Sequence, residues 1–374
     1  MLHAIEKPTG ELVSLPAIPY PLRFKGKVCA LVGLVGLLLV VIVFATTLGS
    51  VHIPFSTCFE VLFSRLPFLH IVPTCPNIFG ITLSPESLDT IILDTRLPRI
   101  LLAGLVGSAL AVAGATYQGL FRNPLADPYL IGVAQGAGLG ATIAFLIPFA
   151  FTWMSFGAVP TFAFIGGMGA VAVVYSLAHV GKTIPATTLI LAGVALGAFL
   201  ASITSYLMTI CGEQLHGIVF WLLGGLSLTR WAEVQTVFPG ILAGIVVICL
   251  HSRSLNVMQL DEEQAKQLGV NVERVKLILL GAATLITSAA VCFTGLIGFV
   301  GIIVAHAVRL IWGPDHRFLL PLSAVVGAIF LILADTLART IAYPTEIPVG
   351  VITAFFGAPF FLYLLRRRKS LLFF

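Results

Sequence analysis

The chain has 374 residues, of which 58% are hydrophobic and only 10% are charged, and its mean hydropathy is +1.06. One soluble domain of this length cannot bury so much apolar surface. The composition therefore excludes a soluble globular protein and indicates a protein whose surface faces lipid. The formal net charge of +5 fits the cytoplasmic loops of such a protein, so we expect no nucleic-acid partner.

Apolar runs that are long enough to cross a bilayer core recur along the chain. We predict an all-α integral membrane protein with about ten transmembrane helices, near residues 28–48, 96–119, 129–149, 157–180, 187–211, 233–251, 275–296, 300–312, 318–341 and 348–365. The eighth run is too short to cross alone. The glycine-punctuated stretch before it, Thr294 to Gly301, is expected inside the bundle, where protein covers irregular backbone; a miscount of the spans is the alternative.

The polar start of the chain carries no small-residue cleavage pattern, so the first span is expected to be an uncleaved anchor. We predict a cytoplasmic tail (1–27), a transmembrane domain (28–366) and a second cytoplasmic tail (367–374). In this orientation all but five of the 21 lysine and arginine residues lie on the cytoplasmic side, where such residues collect. The five exceptions are Arg65, Arg96, Arg99, Arg230 and Arg339.

A long external segment, residues 49–95, separates the first two spans and is rich in proline. Loops of this length are usually functional or disordered. Cys58 and Cys75 both lie in it and could form a disulfide in an oxidising compartment. Two cysteines in one loop do not decide between a disulfide and two free thiols.

Catalytic signatures are absent from the sequence, which contains no HExxH, paired CxxC, phosphate-binding loop or GxSxG motif. We therefore predict no catalytic residue, metal site, cofactor or ATP site, and no enzymatic activity. His306 and Asp335 lie within spans, where ionisable groups are functional candidates. The alternative is that each bonds to the backbone of a neighbouring helix.

Glycine is concentrated in the spans. Gly136–Gly140 and Gly193–Gly197 are expected to be contact faces, because small residues let helices approach closely.

A polar cytoplasmic segment, residues 256–276, lies between the sixth and seventh spans. We predict two short helices divided by Gly269, the first from about residue 261 to 268. Met258, Leu260, Ala265 and Leu268 would form an apolar patch on this segment. The patch would lie on the membrane surface or dock a soluble partner.

Several ordered motifs resemble the FecCD family, permease subunits of ABC importers for iron-siderophores, haem and cobalamin. The resemblance covers nearly all of residues 90–369. Its motifs are RLPR from Arg96, AGATYQGLFRNPLADPYLIG from Ala113, LGV from Leu268, FTGLIGFVGIIVAHAVR from Phe293, GPDHRFLLPLSA from Gly313 and EIPVGVITAFFGAPFF from Glu346.

The resemblance implies a type II ABC importer permease in the inner membrane, with both termini cytoplasmic. It also implies a homodimer with a translocation path along its axis, two cytoplasmic ATPase subunits, and a periplasmic or lipid-anchored substrate-binding protein. The cargo would be a metal chelate: cobalamin, an iron-siderophore or haem. The fifth span offers mainly small residues, serine and threonine, and this composition slightly favours cobalamin or an iron chelate as the cargo.

Functional residues at the outer side follow from the same resemblance. Three basic residues would dock the binding protein, although interfacial anchoring is the alternative: Arg96, Arg99 and Arg339. The outer gate would be the segment 212–225, with path residues Gln214, His216 and Trp221. The long loop 49–95 departs from the family and leaves the docking geometry open.

At the cytoplasmic side the resemblance implies a gate and an ATPase contact. The gate residues would be Asn123, Leu125, Thr187 and Thr188. The coupling residues would be Gln264, Ala265, Leu268, Gly269 and Val270. The rival class is an ion-coupled secondary transporter, which would need an intramembrane acidic relay; Asp335 alone is thin support for one.

Overall fold

The computed structural model describes residues 24–49, 53–64, 77–78, 81–82, 84–147, 157–179, 181, 183–227, 229–260 and 262–372. Most of these residues are helical. The helices are α1 (Phe24–Thr47), α2 (Phe55–Ser64), α3 (Pro85–Asp89), α4 (Leu97–Leu120), α5 (Val133–Leu146), α6 (Ala158–Leu177), α7 (Ala186–Ile210), α8 (Leu215–Leu223), α9 (Trp231–Leu250), α10 (Ser252–Met258), α11 (Glu262–Gln267), α12 (Val272–Thr294), α13 (Val300–Trp312), α14 (His316–Thr340) and α15 (Val349–Leu372).

Seven helical segments of the described residues are long and apolar enough to cross a membrane. They are Phe24–Thr47, Pro85–Leu120, Ala158–Leu177, Ala186–Ile210, Trp231–Leu250, Val272–Thr294 and His316–Thr340. Three shorter apolar helices, Val133–Leu146, Val300–Trp312 and Val349–Tyr363, complete the set. The all-α fold with about ten membrane helices is therefore confirmed, and each predicted span coincides with one of these segments.

Local sequence signals set the ends of several helices. Asp315 caps α14, because its carboxylate accepts a hydrogen bond from the Arg317 amide. Asn271 caps α12 in the same way, through the Arg274 amide. Glycine ends the preceding helix at the other side of each connection, since Gly269 (φ +82°) follows α11 and Gly313 (φ +92°) follows α13.

Helix α4 forms the centre of the bundle. It packs against α9, α12, α13 and α14. In the helical segment Pro85–Leu120, which contains α4, 78% of the residues in the most apolar stretch of 18 are buried, whereas the figure is 11% for α1 and 17% for α7. Backbone contact makes this packing possible: an added Cβ at Gly107 would lie 2.2 Å from the Gly327 carbonyl oxygen, and one at Gly114 would lie 2.4 Å from that of Gly301. The neighbours of α4 therefore approach closely because glycines leave room for them.

The predicted glycine contact faces are confirmed. A Cβ at Gly136 would lie 2.3 Å from the Gly166 carbonyl oxygen on α6, and one at Gly193 on α7 would lie 2.4 Å from that of Leu130. Leu130 belongs to a short 3₁₀ turn, Pro128–Ile131, that leads into α5.

The break between α12 and α13 lies inside the bundle, as predicted for the stretch from Thr294 to Gly301. Its freed backbone groups are satisfied by a neighbouring side chain: the Tyr129 hydroxyl donates to the Ile297 carbonyl and accepts from the Ile297 amide, both at 3.0 Å. Gly225 also donates its amide to the Thr294 carbonyl at 2.8 Å. Irregular backbone at membrane depth is tolerated under such conditions.

The segment between α1 and α4, which was predicted to be external, carries α2, two antiparallel two-residue strands, β1 (Asn77–Ile78) and β2 (Ile81–Thr82), α3, and a π-helical stretch, Thr90–Arg96. Its described part has a small core of its own, formed by Ile53, Cys58, Val61, Leu88 and Ile92. Cys58 is thus buried. Cys75 lies outside the described residues, so the choice between a disulfide and two free thiols stays open, and most of the predicted N-terminal tail lies outside them as well.

Gly114→Ala should destabilise the protein, because its new methyl group would meet the Gly301 backbone and a packed core resists extra volume at a cost of about 1–3 kcal/mol. Gly36→Ala is the matched control, since nothing lies within 4 Å of a Cβ at Gly36 on α1. Thermal unfolding in detergent measures both. A melting temperature that falls equally, or not at all, in the two variants would contradict this packing.

Candidate functional site

A cluster of charged side chains lies where α4 begins and α14 ends. Arg99 donates from Nε and Nη2 to Asp335 Oδ1 at 3.0 and 2.8 Å. Its Nη1 donates to both carboxylate oxygens of Glu346 at 3.0 Å. One guanidinium therefore joins α4, α14 and the connection between α14 and α15 with charge-assisted bonds, the strong kind of hydrogen bond.

Two further arginines bind the end of α1 to this cluster. Arg339 donates to the Ala45 carbonyl at 2.6 Å, and its Nε lies 3.7 Å from Asp335 Oδ2. Arg96 donates to the Thr46 carbonyl. The last carbonyls of α1 lack helical partners and attract positive charge, so the two guanidiniums cap that helix.

The placement of these three arginines differs from the expectation of an exposed docking patch. Arg96, Arg99 and Arg339 are only 5%, 9% and 7% exposed, and each of them donates hydrogen bonds to groups inside the subunit. The physical reason is that buried charge must be paired, and Asp335 and helix carbonyls supply the partners. Asp335 therefore bonds to a side chain of a neighbouring helix, Arg99, and not to a helix backbone, which was the alternative left open from the sequence. Binding of a partner protein at this end remains a prediction.

Glu346 is the member of the cluster that reaches the surface, with a side chain that is 40% exposed. The Ser227 hydroxyl, in the connection between α8 and α9, donates to Glu346 Oε2 at 2.7 Å. Burial raises the pKa of the Glu346 carboxyl, but the hydrogen bonds from Arg99 and Ser227 outweigh it and the pKa is lowered. Sequence analysis gave Glu346 no role; its position as a lone acid between two spans was the available signal.

The residues of the predicted outer gate lie on or beside α8. Gln214 and His216 are exposed, and the His216 ring lies 4.8 Å from that of Phe220. Trp221 is half-buried and lines a cavity of about 410 Å³ behind α8, together with Phe145, Phe293 and Glu233. The end of α8 packs on the break between α12 and α13, where a Cβ at Gly295 would lie 1.9 Å from the Trp221 carbonyl oxygen.

The predicted cytoplasmic gate begins in the connection between α4 and α5. Asn123 accepts a hydrogen bond from the Leu125 amide at 3.0 Å, and Asp127 accepts one from the Tyr129 amide at 2.8 Å. These side chains fold the connection into consecutive turns. Asn123 and Leu125 are half-buried.

The other predicted gate residues stand at the start of α7, where Thr187 is exposed and Thr188 half-buried. The two parts of the gate are joined within the subunit by the contact of Gly193 with Leu130. The gate role of all four residues remains a prediction.

Burial raises the pKa of the Asp127 carboxyl to about 6, although the hydrogen bond from Tyr129 opposes the shift. The connection between the spans therefore holds a carboxylate in an environment that disfavours its charge.

The predicted coupling segment is compact. Together with the start of α10 it forms a unit that consists of α10, α11 and the turn at Gly269, called the bracket below. Met258, Ala265 and Val272 bury one face of it against each other. Gln264, Leu268 and Gly269 are exposed, Leu268 by 64%, and Val270 is half-buried. The Val270 amide donates to the Ala265 carbonyl at 3.1 Å, which closes the end of α11.

Two details of the predicted segment are wrong. Both short helices, α10 and α11, precede Gly269, which separates α11 from the span α12. The predicted apolar patch is split, because Met258 and Ala265 face inward while Leu260 and Leu268 face outward. Helix propensity and the position of a glycine identify where a helix ends. They do not reveal which face of α11 is covered by α10 and α12.

Lys276 is a buried residue that the sequence analysis missed. Its ammonium lies 2.8 Å from Glu262 on α11 and donates to the Ile184 carbonyl, just before α7, at 3.1 Å. It thus ties the bracket to the start of α7, which carries the predicted gate threonines.

A bundle of about ten apolar helices with glycine contacts, a broken helix in its interior and an exposed bracket between two spans has the architecture of a membrane permease. The chain belongs to the FecCD transport family, whose model matches residues 37–367. This result confirms the resemblance seen in the sequence and identifies the chain as a permease of the ABC importer type.

Curated relatives share much of the chain. The cobalamin import system permease protein of Halobacterium salinarum is 46% identical over 303 residues, which cover 81% of this chain and 80% of that protein. The hemin transport system permease protein of Yersinia pestis is 41% identical over 280 residues, which cover 74% of this chain and 84% of that protein. A solved inward-facing structure assigned to the metal-chelate type of ABC transporter matches with a TM-score of 0.76 at 30% identity, over 90% of this chain and 99% of the other.

Asp335→Asn should strongly destabilise the protein, because removing one partner of a buried ion pair leaves uncompensated charge and costs about 3–5 kcal/mol. Glu346→Gln is the control: its side chain is half-exposed, and a glutamine can still accept from Arg99 and Ser227. Thermal unfolding in detergent compares them. Equal, small losses in both variants would show that the buried cluster does not hold the outer helix ends together.

Asp127→Asn should stabilise the protein at neutral pH, since asparagine keeps the cap to Tyr129 without a buried charge. The pKa of Asp127 rises on folding from 3.8 to about 6, so wild-type stability falls as the pH rises through this window. The advantage of the variant should thus be absent at about pH 3, grow as the pH rises, and reach about 3 kcal/mol at about pH 7 and above. A stability difference that does not change with pH would contradict the assigned burial.

Proposed function

We propose that the chain is the membrane subunit of an importer that moves a metal chelate into the cell, with cobalamin as the favoured cargo. The similarity to a cobalamin import permease, at 46% identity over most of both chains, carries this proposal. A hemin permease and a metal-chelate transporter among the relatives support the wider class. Helix α7 contains small residues, serine and threonine, which would form a weakly polar lining of the path for such a cargo.

The proposed assembly is a homodimer in the inner membrane with both termini cytoplasmic. Helix α7 exposes Leu191, Val194, Phe199 and Tyr206 in the single chain, each by more than half. A second copy can cover part of this face, and the path for the cargo would run between the copies. The distribution of lysine and arginine supports the orientation.

Two cytoplasmic ATPase subunits would bind the bracket formed by α10 and α11. Its inner face is fixed by Met258 and Ala265, so the exposed Leu268 and Gln264 are available to a partner. A fixed bracket would move as a unit when ATP closes the ATPase pair, and the spans would then alternate between outward and inward access.

A periplasmic or lipid-anchored binding protein would dock at the outer end. The three arginines and two carboxylates of the cluster leave one positive charge in excess. Acidic groups of the binding protein would compete with Glu346 for Arg99, since Glu346 is the member that reaches the surface.

The test is uptake of labelled cobalamin, haemin and ferric siderophore by proteoliposomes that contain the complete complex. We expect cobalamin uptake that requires both ATP and the binding protein. Uptake that persists without the ATPase subunits and follows an ion gradient would favour a secondary transporter instead and refute the proposal.

Leu268→Arg should weaken binding of the ATPase subunits about tenfold or more, because an exposed apolar anchor of an interface commonly contributes roughly 2 kcal/mol. Leu268→Met keeps the apolar volume and is the matched control. The affinity of the purified ATPase for the permease in nanodiscs measures the effect. Unchanged affinity in the arginine variant would remove Leu268 from the interface.

A further inference from the structure

We propose that Asn256 and Gln259 are positioning residues that fasten the coupling bracket to the cytoplasmic ends of α4 and α14, so that displacement of the bracket reaches the gate. The inference rests on the proposed role of residues 256–276 in ATPase coupling. It assigns to specific side chains the step between that contact and the movement of the spans.

The first fastening joins α10 to the start of α14. Asn256 Nδ2 donates to Asp315 Oδ1 at 2.7 Å, and Asn256 Oδ1 accepts from the His316 amide at 2.9 Å. His316 Nδ1 lies 2.8 Å from the same Asn256 oxygen. The carboxylate of Asp315 fixes the orientation of the amide, because only the nitrogen of Asn256 can donate to it. The amide oxygen must then face His316, whose Nδ1 carries the proton.

The same cluster reaches α4 through the His316 ring. His316 is 2% exposed, and its Nε2 would lie 2.7 Å from a Cβ at Gly119, near the end of α4. The ring therefore packs directly against the α4 backbone, and only glycine at position 119 leaves space for it.

The second fastening joins the end of α10 to the end of α4. Gln259 Nε2 donates to the Gly119 carbonyl at 2.9 Å, and Arg122 Nη1 donates to the Leu260 carbonyl at 3.1 Å. Arg122 adopts a left-handed conformation (φ +51°) at the point where the chain leaves α4 for the predicted gate. Each side of this contact therefore donates one hydrogen bond to a backbone carbonyl of the other side.

The described part of the bracket contacts the ends of α4 and α14 directly. Helix α10 packs on both α4 and α14, and one amide side chain bonds to the cap and to the first residue of α14. The Gly119 carbonyl that accepts from Gln259 lies within one turn of Asn123. A movement of the bracket must therefore displace the ends of both helices.

The test is the amount of substrate imported per ATP hydrolysed by the complete complex in proteoliposomes. Asn256→Asp places a carboxylate against Asp315 and should lower this ratio about tenfold, within the range of measured coupling effects, while ATP hydrolysis continues. Gln259→Leu should also lower the ratio.

Arg253→Gln, an exposed position on α10, is the control and should leave the ratio unchanged. Proportional loss of uptake and hydrolysis in Asn256→Asp, or an unchanged ratio in Gln259→Leu, would overturn the inference. If Leu268→Arg uncouples transport but Asn256→Asp leaves the ratio unchanged, the inference alone is wrong. If Leu268→Arg does not affect the ATPase contact, the proposed coupling role fails first.

Discussion

The backbone contact of α4 with α13 and α14 is the constraint on which the rest of the structure depends. Gly107 and Gly114 place α4 against Gly327 and Gly301 with no room for a side chain between them. Small residues supply this closeness because lipid gives helices no hydrophobic reason to associate. A helix held so tightly along its length moves with its neighbours, which makes the groups at its two ends parts of one body.

The polar groups along α4 follow the same constraint. In the last turn of α4 the Tyr117 hydroxyl lies 3.0 Å from that of Thr284, and Gln118 donates to the Gly301 carbonyl at 3.2 Å. At the start of α4 Arg99 bonds to Asp335, and at its end Gly119 contacts Gln259 and His316. Hydrocarbon cannot satisfy any of these groups, so each partner also fixes which helix lies beside α4.

The sequence predicted the elements of this fold well, because the length of an apolar run and the placement of glycine are local signals. The ten spans, the glycine faces and the buried break before α13 were all read in this way. Pairings between distant residues carry no local signal. Arg99 and Asp335 are 236 positions apart, so the arginines looked like an exposed patch, and Glu346, Asn256 and Lys276 were missed for the same reason.

The central claim is that the spans of one subunit carry movement of the bracket as a rigid body. The test attaches spin labels to cysteines that replace Gln267 on α11 and Thr345 beyond α14, in a complex whose other cysteines have been removed. One sample carries both labels in one subunit, and a second sample carries a label at position 267 in each subunit. We expect the distance between the labels of the first sample to change by less than about 2 Å when ATP binds, while the distance between the Gln267 positions of the two subunits changes by more than about 5 Å. Equal changes in both distances would contradict the account.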